Sequence, residues 1–429
     1  MHRTAILLGT LLLGAAVPGT AQYPRIDRAV QEVTPRMVEI RHHLHQNPEL
    51  GNREFETARL VADYLRELGL DEVRTEIAHT GVVGILRGGK PGRVVAVRAD
   101  MDALPVTEDT PYPFKSTVRA TYLGQDVGVS HACGHDIHTS VALGLATVLA
   151  SMRADLPGTV VFIFQPAEEG APPGEEGGAA LMVKEGVLDD PAPEAIFGLH
   201  TNWNMPVGIV GYTPGPALAA SDHFAATIHG RGAHGAQPEV SADPIVMAAQ
   251  VVMALQTIRS RNMSPIEPGV VTVGLLRGGT RFNIIPDDVL LEGTVRSYHT
   301  ETQDLVERRM REIFGGITAA GGGSYELTYE RGIPVTVNDV ALAERVVGSL
   351  ERAVGAGNVE RLDPATVAED FAYFANEIPG FYYRLGTLKP GTTSGNHHTP
   401  TFQADDSAIP VGITAMAYLV WEYLGGGGK

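Results

Sequence analysis

An open α/β sheet domain interrupted by a second, smaller unit is the fold class this sequence predicts, on three observations. Short apolar runs of strand type alternate with helix-type stretches from residue 58 to residue 199. From about residue 212 the order becomes strand, helix, strand, strand, helix, strand. After about residue 332 the first pattern resumes and closes on a helix. Alternating apolar strands and helices indicate a sheet with helices on its faces, and the middle order is that of a ferredoxin-like unit.

Residues 58 to 69 place Leu60, Val61, Tyr64, Leu65 and Leu68 on one helical face. Buried-type strands follow at 82 to 87, 94 to 99, 159 to 164 and 195 to 199, with helices at 140 to 152 and 178 to 186 between them. In the insert, strands are predicted at 223 to 229, 270 to 276, 288 to 296 and 325 to 330. Helices are predicted at 243 to 261, after Asp243-Pro244, and at 301 to 319. The last helix spans roughly 406 to 424. The expected division is 22–211 and 332–429 for a discontinuous α/β domain and 212–331 for the insert.

A chain of 429 residues with 44% hydrophobic and 19% charged residues has the composition of a multidomain globular protein. Its formal net charge of -17 repels nucleic acid and anionic lipid, so neither is an expected partner. Residues 1 to 21 resemble a signal peptide: Arg3, then the apolar stretch 5 to 17, then small residues up to Ala21. Cleavage before Gln22 and a periplasmic or secreted location are expected, with no membrane contact afterwards. Cys133 is the single cysteine, which excludes an internal disulfide.

The polar clusters fall at strand ends. The strand at 94 to 99 runs into Asp100-Met101-Asp102, that at 159 to 164 into Gln165-Pro166-Ala167-Glu168-Glu169-Gly170, and that at 195 to 199 ends on His200. Ligands bind outside the carboxyl ends of strands in open α/β sheets. A further cluster, HACGHDIHT at 131 to 139, sets Cys133 and His135 two residues apart around Gly134. A thiolate and an imidazole so spaced can chelate one or two first-row divalent ions. The adjacent carboxylates of Glu168 and Glu169 suit two jobs, one binding metal and the other accepting a proton from water. Glu175 and Glu176 are expected in a solvated acidic loop. Near the end stand Asn396-His397-His398-Thr399-Pro400, where residue chemistry does not choose between the two histidines. In the insert, His234 is framed by glycine and alanine in GRGAHGA.

Over residues 36 to 424 the sequence resembles the metal-dependent amidohydrolase family of aminoacylases, hippurate hydrolases and auxin-conjugate hydrolases. The resemblance is carried in order by RHHLHQNPELGNREFET, RADMDALPV, HACGHDIHT, FQPAEEG, GLHTNW, GRGAHGAQPE, GGTRFNIIPD, GTVRS, AEDFA and HHTPTF. It implies a discontinuous metallopeptidase-like α/β catalytic domain with an inserted ferredoxin-like (β-α-β-β-α-β) lid or dimerisation domain. It implies Cys133, His135, Glu169, His200 and His398 as ligands of one or two divalent metal ions, zinc or manganese first, with cobalt or nickel as options. His398 is preferred over His397 because it directly precedes Thr399-Pro400. By the same resemblance Glu168 is the general base, Asp102 orients a ligand, and His234 and Asn283 act from the insert on substrate.

The implied activity is hydrolysis of an N-acyl amino acid or a short peptide, with a homodimer or larger homo-oligomer left open. A dipeptidase or carboxypeptidase on the same site is the near alternative, and a non-catalytic periplasmic binding protein is the distant one. Two departures bear on substrate choice. Glu239 stands where many relatives carry histidine, and the loop 171 to 177 is enlarged and acidic.

Overall fold

The computed structural model describes residues 22–425, so the expected signal segment lies outside the described residues. At the centre is an eight-stranded sheet. Its four middle strands run parallel in the spatial order Pro157–Gln165, Lys90–Asp100, Ile196–Pro206, Gly380–Leu388. On one side Gly81–Arg87 runs antiparallel to Pro157–Gln165, and Glu72–Ile77 in turn antiparallel to Gly81–Arg87. Val210–Tyr212 and Val359–Arg361 extend the other.

The middle strands are apolar on both faces because both are covered. Val95, Val97, Phe162, Phe197 and Tyr383 face a layer that includes the helices Tyr23–Gln46, His135–Ser151, Val340–Val354 and Ala408–Tyr423. Ala96, Val161, Ile163, Ile196 and Tyr382 alternate with them and face the short helices Gly178–Lys184 and Phe371–Glu377. Among the described residues no helix is long and apolar enough to cross a membrane.

The second sheet has the order Gly269–Gly278, Asp288–Ser297, Ala220–His229, Ser324–Ile333, all antiparallel. Helices Pro244–Thr257 and Thr300–Ala320 give it a core of its own around Phe224, Ile228, Val251, Leu255, Leu291 and Phe314. The crossing into this unit lies beyond residue 212, because Gly215–Leu218 pairs with Thr336–Asn338.

One helix begins earlier than its apolar pattern indicates. His135–Ser151 starts five residues before the expected 140, and its first turn, His135 to Thr139, is polar yet buried. Hydrogen bonds and not apolar periodicity hold that turn. Tyr23–Gln46, absent from the sequence reading, buries Ile26, Val30, Val33, Met37, Ile40 and Leu44 along one stripe.

Candidate metal centre

Five segments meet at the carboxyl edge of the four parallel strands. Lys90–Asp100 delivers Asp100 and then Asp102, and Pro157–Gln165 turns into Glu168 and Glu169. His200 lies inside Ile196–Pro206, not at its end as expected, in register with Arg384 on the neighbouring strand. Cys133 precedes the His135–Ser151 helix. Gly134 between them has φ 92°, and a Cβ there would stand 2.6 Å from Thr201 Oγ1, so only glycine fits the turn. The loop carrying His397 and His398 is tied to this turn by the His398 N–H, which donates to the Ala132 carbonyl at 2.9 Å.

Hydrogen bonds aim each imidazole. The His135 Nδ1–H donates to Asp102 Oδ1 at 3.1 Å, which leaves Nε2 3.8 Å from a carboxylate oxygen of both Glu168 and Glu169. Asp102 Oδ2 also accepts the Glu169 N–H at 2.9 Å. The His200 Nδ1–H donates to the Thr201 carbonyl at 2.8 Å, so its bare Nε2 faces Cys133 Sγ at 3.4 Å. His398 Nε2 reaches Glu169 Oε1 at 3.1 Å. His138 differs. Its Nδ1 meets Asp100 Oδ1 at 2.5 Å and its Nε2 accepts the Thr201 N–H at 2.9 Å. With both nitrogens engaged, His138 braces the strand ends and is not available to an ion.

Potential ligand atoms of Cys133, Glu169 and His398 lie within 4.8 Å of one another, as do those of His135, Glu168 and Glu169. So do those of Cys133, His200 and His397. The structure thus brings together all five residues expected as ligands, with Glu168 and Asp102 beside them. It adds His397, whose ring centroid stands 5.0 Å from that of His200. The buried Nε2 atoms of His135 and His397 have no hydrogen-bond partner among the described residues. Bare imidazole nitrogens converging with a thiol and carboxylates fit one or two divalent ions.

The electrostatics have identifiable sources. Burial, then the carboxylates of Glu369, Glu169 and Asp370, push the Glu168 carboxyl well above its ordinary range. Burial, then Glu169 and Glu168, push the Cys133 thiol up; a bound cation acts in the opposite sense. Burial, then the Arg384 charge, pushes His397 down to about 3. Beneath Glu168 the buried Arg98 pairs with Asp100 at 2.7 Å and with Glu369 and Asp370 at 2.9 Å each. Glu54 supports the same turn by accepting the Ala167 N–H at 2.8 Å.

His234 and Asn283 lie elsewhere. They neighbour each other on the insert, where the Gly235 N–H donates to the Asn283 carbonyl at 2.9 Å, and His234 is exposed. Neither lines the cavity over the metal-type cluster. Glu175 is not merely solvated as expected: it pairs with Arg53 at 2.5 Å and accepts from Asn52 at 3.1 Å. Sequence reasoning gave no role to His397, Arg384, Glu369 or Glu54. Glu369 and Glu54 fall in the AEDFA and GNREFET segments, so a signal was present, but no spacing rule links those segments to the EEG turn.

A parallel α/β sheet bearing this thiol, imidazole and carboxylate cluster at its carboxyl edge has the donor set of a metal-dependent hydrolase, and the relatives make it an amidohydrolase. The chain belongs to peptidase family M20/M25/M40, whose model matches residues 96–422. It is 38% identical to the N-acetyl-L-cysteine deacetylase of Bacillus subtilis, over 87% of this chain and 85% of that protein. It is 36% identical to thermostable carboxypeptidase 2 of Saccharolobus solfataricus, over 93% of this chain and 98% of that protein. Among solved structures it is similar to the Bacillus subtilis YXEP protein, a dinuclear metal binding peptidase of the M20 family. There the TM-score is 0.77 at 34% identity, covering 92% of this chain and 99% of that one.

Proposed function

We propose that the chain hydrolyses the amide bond of N-acyl amino acids, with Glu168 as general base. The observation that carries this is the division of labour within the adjacent pair. Glu169 reaches His398 and is held by Asp102 through its N–H, whereas Glu168 leans towards Glu369 and Asp370. Burial, then that acidic surrounding, raises the proton affinity of Glu168. Cys133, His135, Glu169, His200 and His398 would hold the metal, zinc or manganese by donor type. When bound, the metal supplies Lewis acidity that polarises the amide carbonyl and acidifies water. Glu168 takes the proton of the attacking water and passes it to the departing amine. Asp102 keeps His135 in the tautomer that presents Nε2.

The similarity to a relative named as a deacetylase supports an acyl substrate, and that to one named as a carboxypeptidase supports a peptide on the same site. Assay of the metal-loaded protein on acetylated and benzoylated amino acids beside unblocked dipeptides separates the two. Faster turnover of the blocked amino acids is expected, and turnover of dipeptides alone overturns it. In this proposal the insert acts as a lid, bringing His234 and Asn283 to the scissile carbonyl by movement at the crossings near 205 to 215 and 330 to 338. Export rests on residues 3 to 21, and a mature N-terminus at Gln22 tests it.

A further inference from the structure

We propose that Arg384 is the anion-recognition residue of this site and restricts its substrates to amides that carry a carboxylate. The inference rests on the amide-hydrolase reading and names the chemical group that reading leaves open. A cavity of about 730 Å³ opens over Glu168, Glu169, His200 and His398. Its wall is acidic, with Glu360, Asp363 and Glu369 adding to the two active-site glutamates. Among the described residues Arg384 is the only lysine or arginine on that wall.

Arg384 sits on the central strand Gly380–Leu388, in register with His200 on one side and Gly211 on the other. Side chains in register on adjacent strands share a face about 5 Å apart, so the guanidinium stem rises beside a proposed metal ligand. On the other side Gly211 has no side chain of its own, and Leu362 and Met205 pack over it. The residue is half-buried and its backbone belongs to the sheet ladder, yet among the described residues its guanidinium makes no side-chain hydrogen bond and no ion pair. The Tyr382 ring centroid stands 5.9 Å from its guanidinium carbon.

Arg98, two strands across the same sheet, shows the contrast: it is fully buried and paired with Asp100, Glu369 and Asp370. Arg98 neutralises the floor. Arg384 keeps five N–H donors in a planar fork unclaimed by protein. A cation placed beside a metal-binding cluster opposes metal binding unless an anion also binds nearby. An N-acyl amino acid with an uncharged side chain carries one charge, its carboxylate, and Glu360 and Asp363 on the wall would repel it without Arg384.

The competing role is charge balance for Glu360 and Asp363, which would not distinguish substrates. Benzoylglycine and benzoylglycinamide differ only in the carboxylate. Arg384→Gln should lower kcat/KM for benzoylglycine about 10- to 100-fold and leave the amide compound within about 3-fold, with metal content unchanged. Arg384→Lys, which keeps the charge and loses the fork, should retain part of the preference. Equal losses on both compounds, or none, overturn the proposal. Binding of the two compounds to Glu168→Gln, with and without Arg384→Gln, is measured calorimetrically in parallel. Tighter binding of the acid that Arg384→Gln abolishes supports Arg384 independently of turnover. Equal binding of acid and amide by Glu168→Gln, absence of binding included, overturns it. If the wild type hydrolyses neither compound, the amide-hydrolase reading falls, while the binding arm still decides on Arg384.

Discussion

Asp102 holds His135 by a 3.1 Å contact between Oδ1 and Nδ1, and its other oxygen accepts the backbone N–H of Glu169. One carboxylate thereby orients two proposed ligands, one opening a helix and one in the turn after a strand. Asp102→Asn replaces one acceptor by a donor and loses the charge that keeps the proton on Nδ1. Metal affinity should fall about 10- to 100-fold with the fold intact. Competition with a chromophoric chelator checks this, and unchanged affinity would remove Asp102 from the account.

Cys133, His397 and His398 form a graded set. Cys133→Ser puts a hydroxyl that stays protonated where a thiolate would bind, so metal content should drop markedly. His398→Ala should lose more metal than His397→Ala, because His398 alone of the two reaches both Glu169 and Cys133. Metal analysis after dialysis reads all three, and equal losses from the two histidine variants would make both of them ligands.

His234 tests the insert. If the lid closes, His234→Ala should reduce turnover about 100-fold while metal content and melting stay normal. Near-normal turnover would leave the insert a structural or assembly unit.

A pH dependence arises behind the site. His45 donates to Asp136 at 2.9 Å and to Glu108 at 3.0 Å. Burial alone would lower its pKa, but these partners raise it from 6.5 to about 9. A raised histidine pKa stabilises the fold fully below 6.5 and progressively less as pH climbs through 9. Unfolding free energy should therefore fall between pH 7 and pH 9.5, by up to ~3 kcal/mol from this group. Denaturant titrations of His45→Gln should show a flatter profile, and an identical slope would count against the pair.

Much of this was legible in sequence because apolar periodicity and strand-end chemistry are local signals. The parallel strands and the order of the insert announced themselves in runs of a few residues, as did the polar clusters at strand ends, while the proposed ligand set, and His398 over His397 within it, came from the resemblance. The start of the His135–Ser151 helix did not, since its first turn is buried through Asp100, Asp102, Arg41 and Thr201 and not through apolar contacts. Nor did His397, whose approach to His200 depends on a loop fastened to Ala132 by one hydrogen bond. Nor did Arg384, whose place beside His200 and on the acidic cavity wall depends on the register of two strands distant in sequence.

The central claim is that Glu168 moves the proton while Glu169 holds the metal. Metal content and turnover of Glu168→Gln and Glu169→Gln, measured on the same preparations, test it most directly. Glu168→Gln should keep its metal and lose about 100-fold or more in kcat, whereas Glu169→Gln should lose metal and activity together. A Glu168→Gln protein that sheds its metal, beside a Glu169→Gln protein that keeps it, would contradict the assignment.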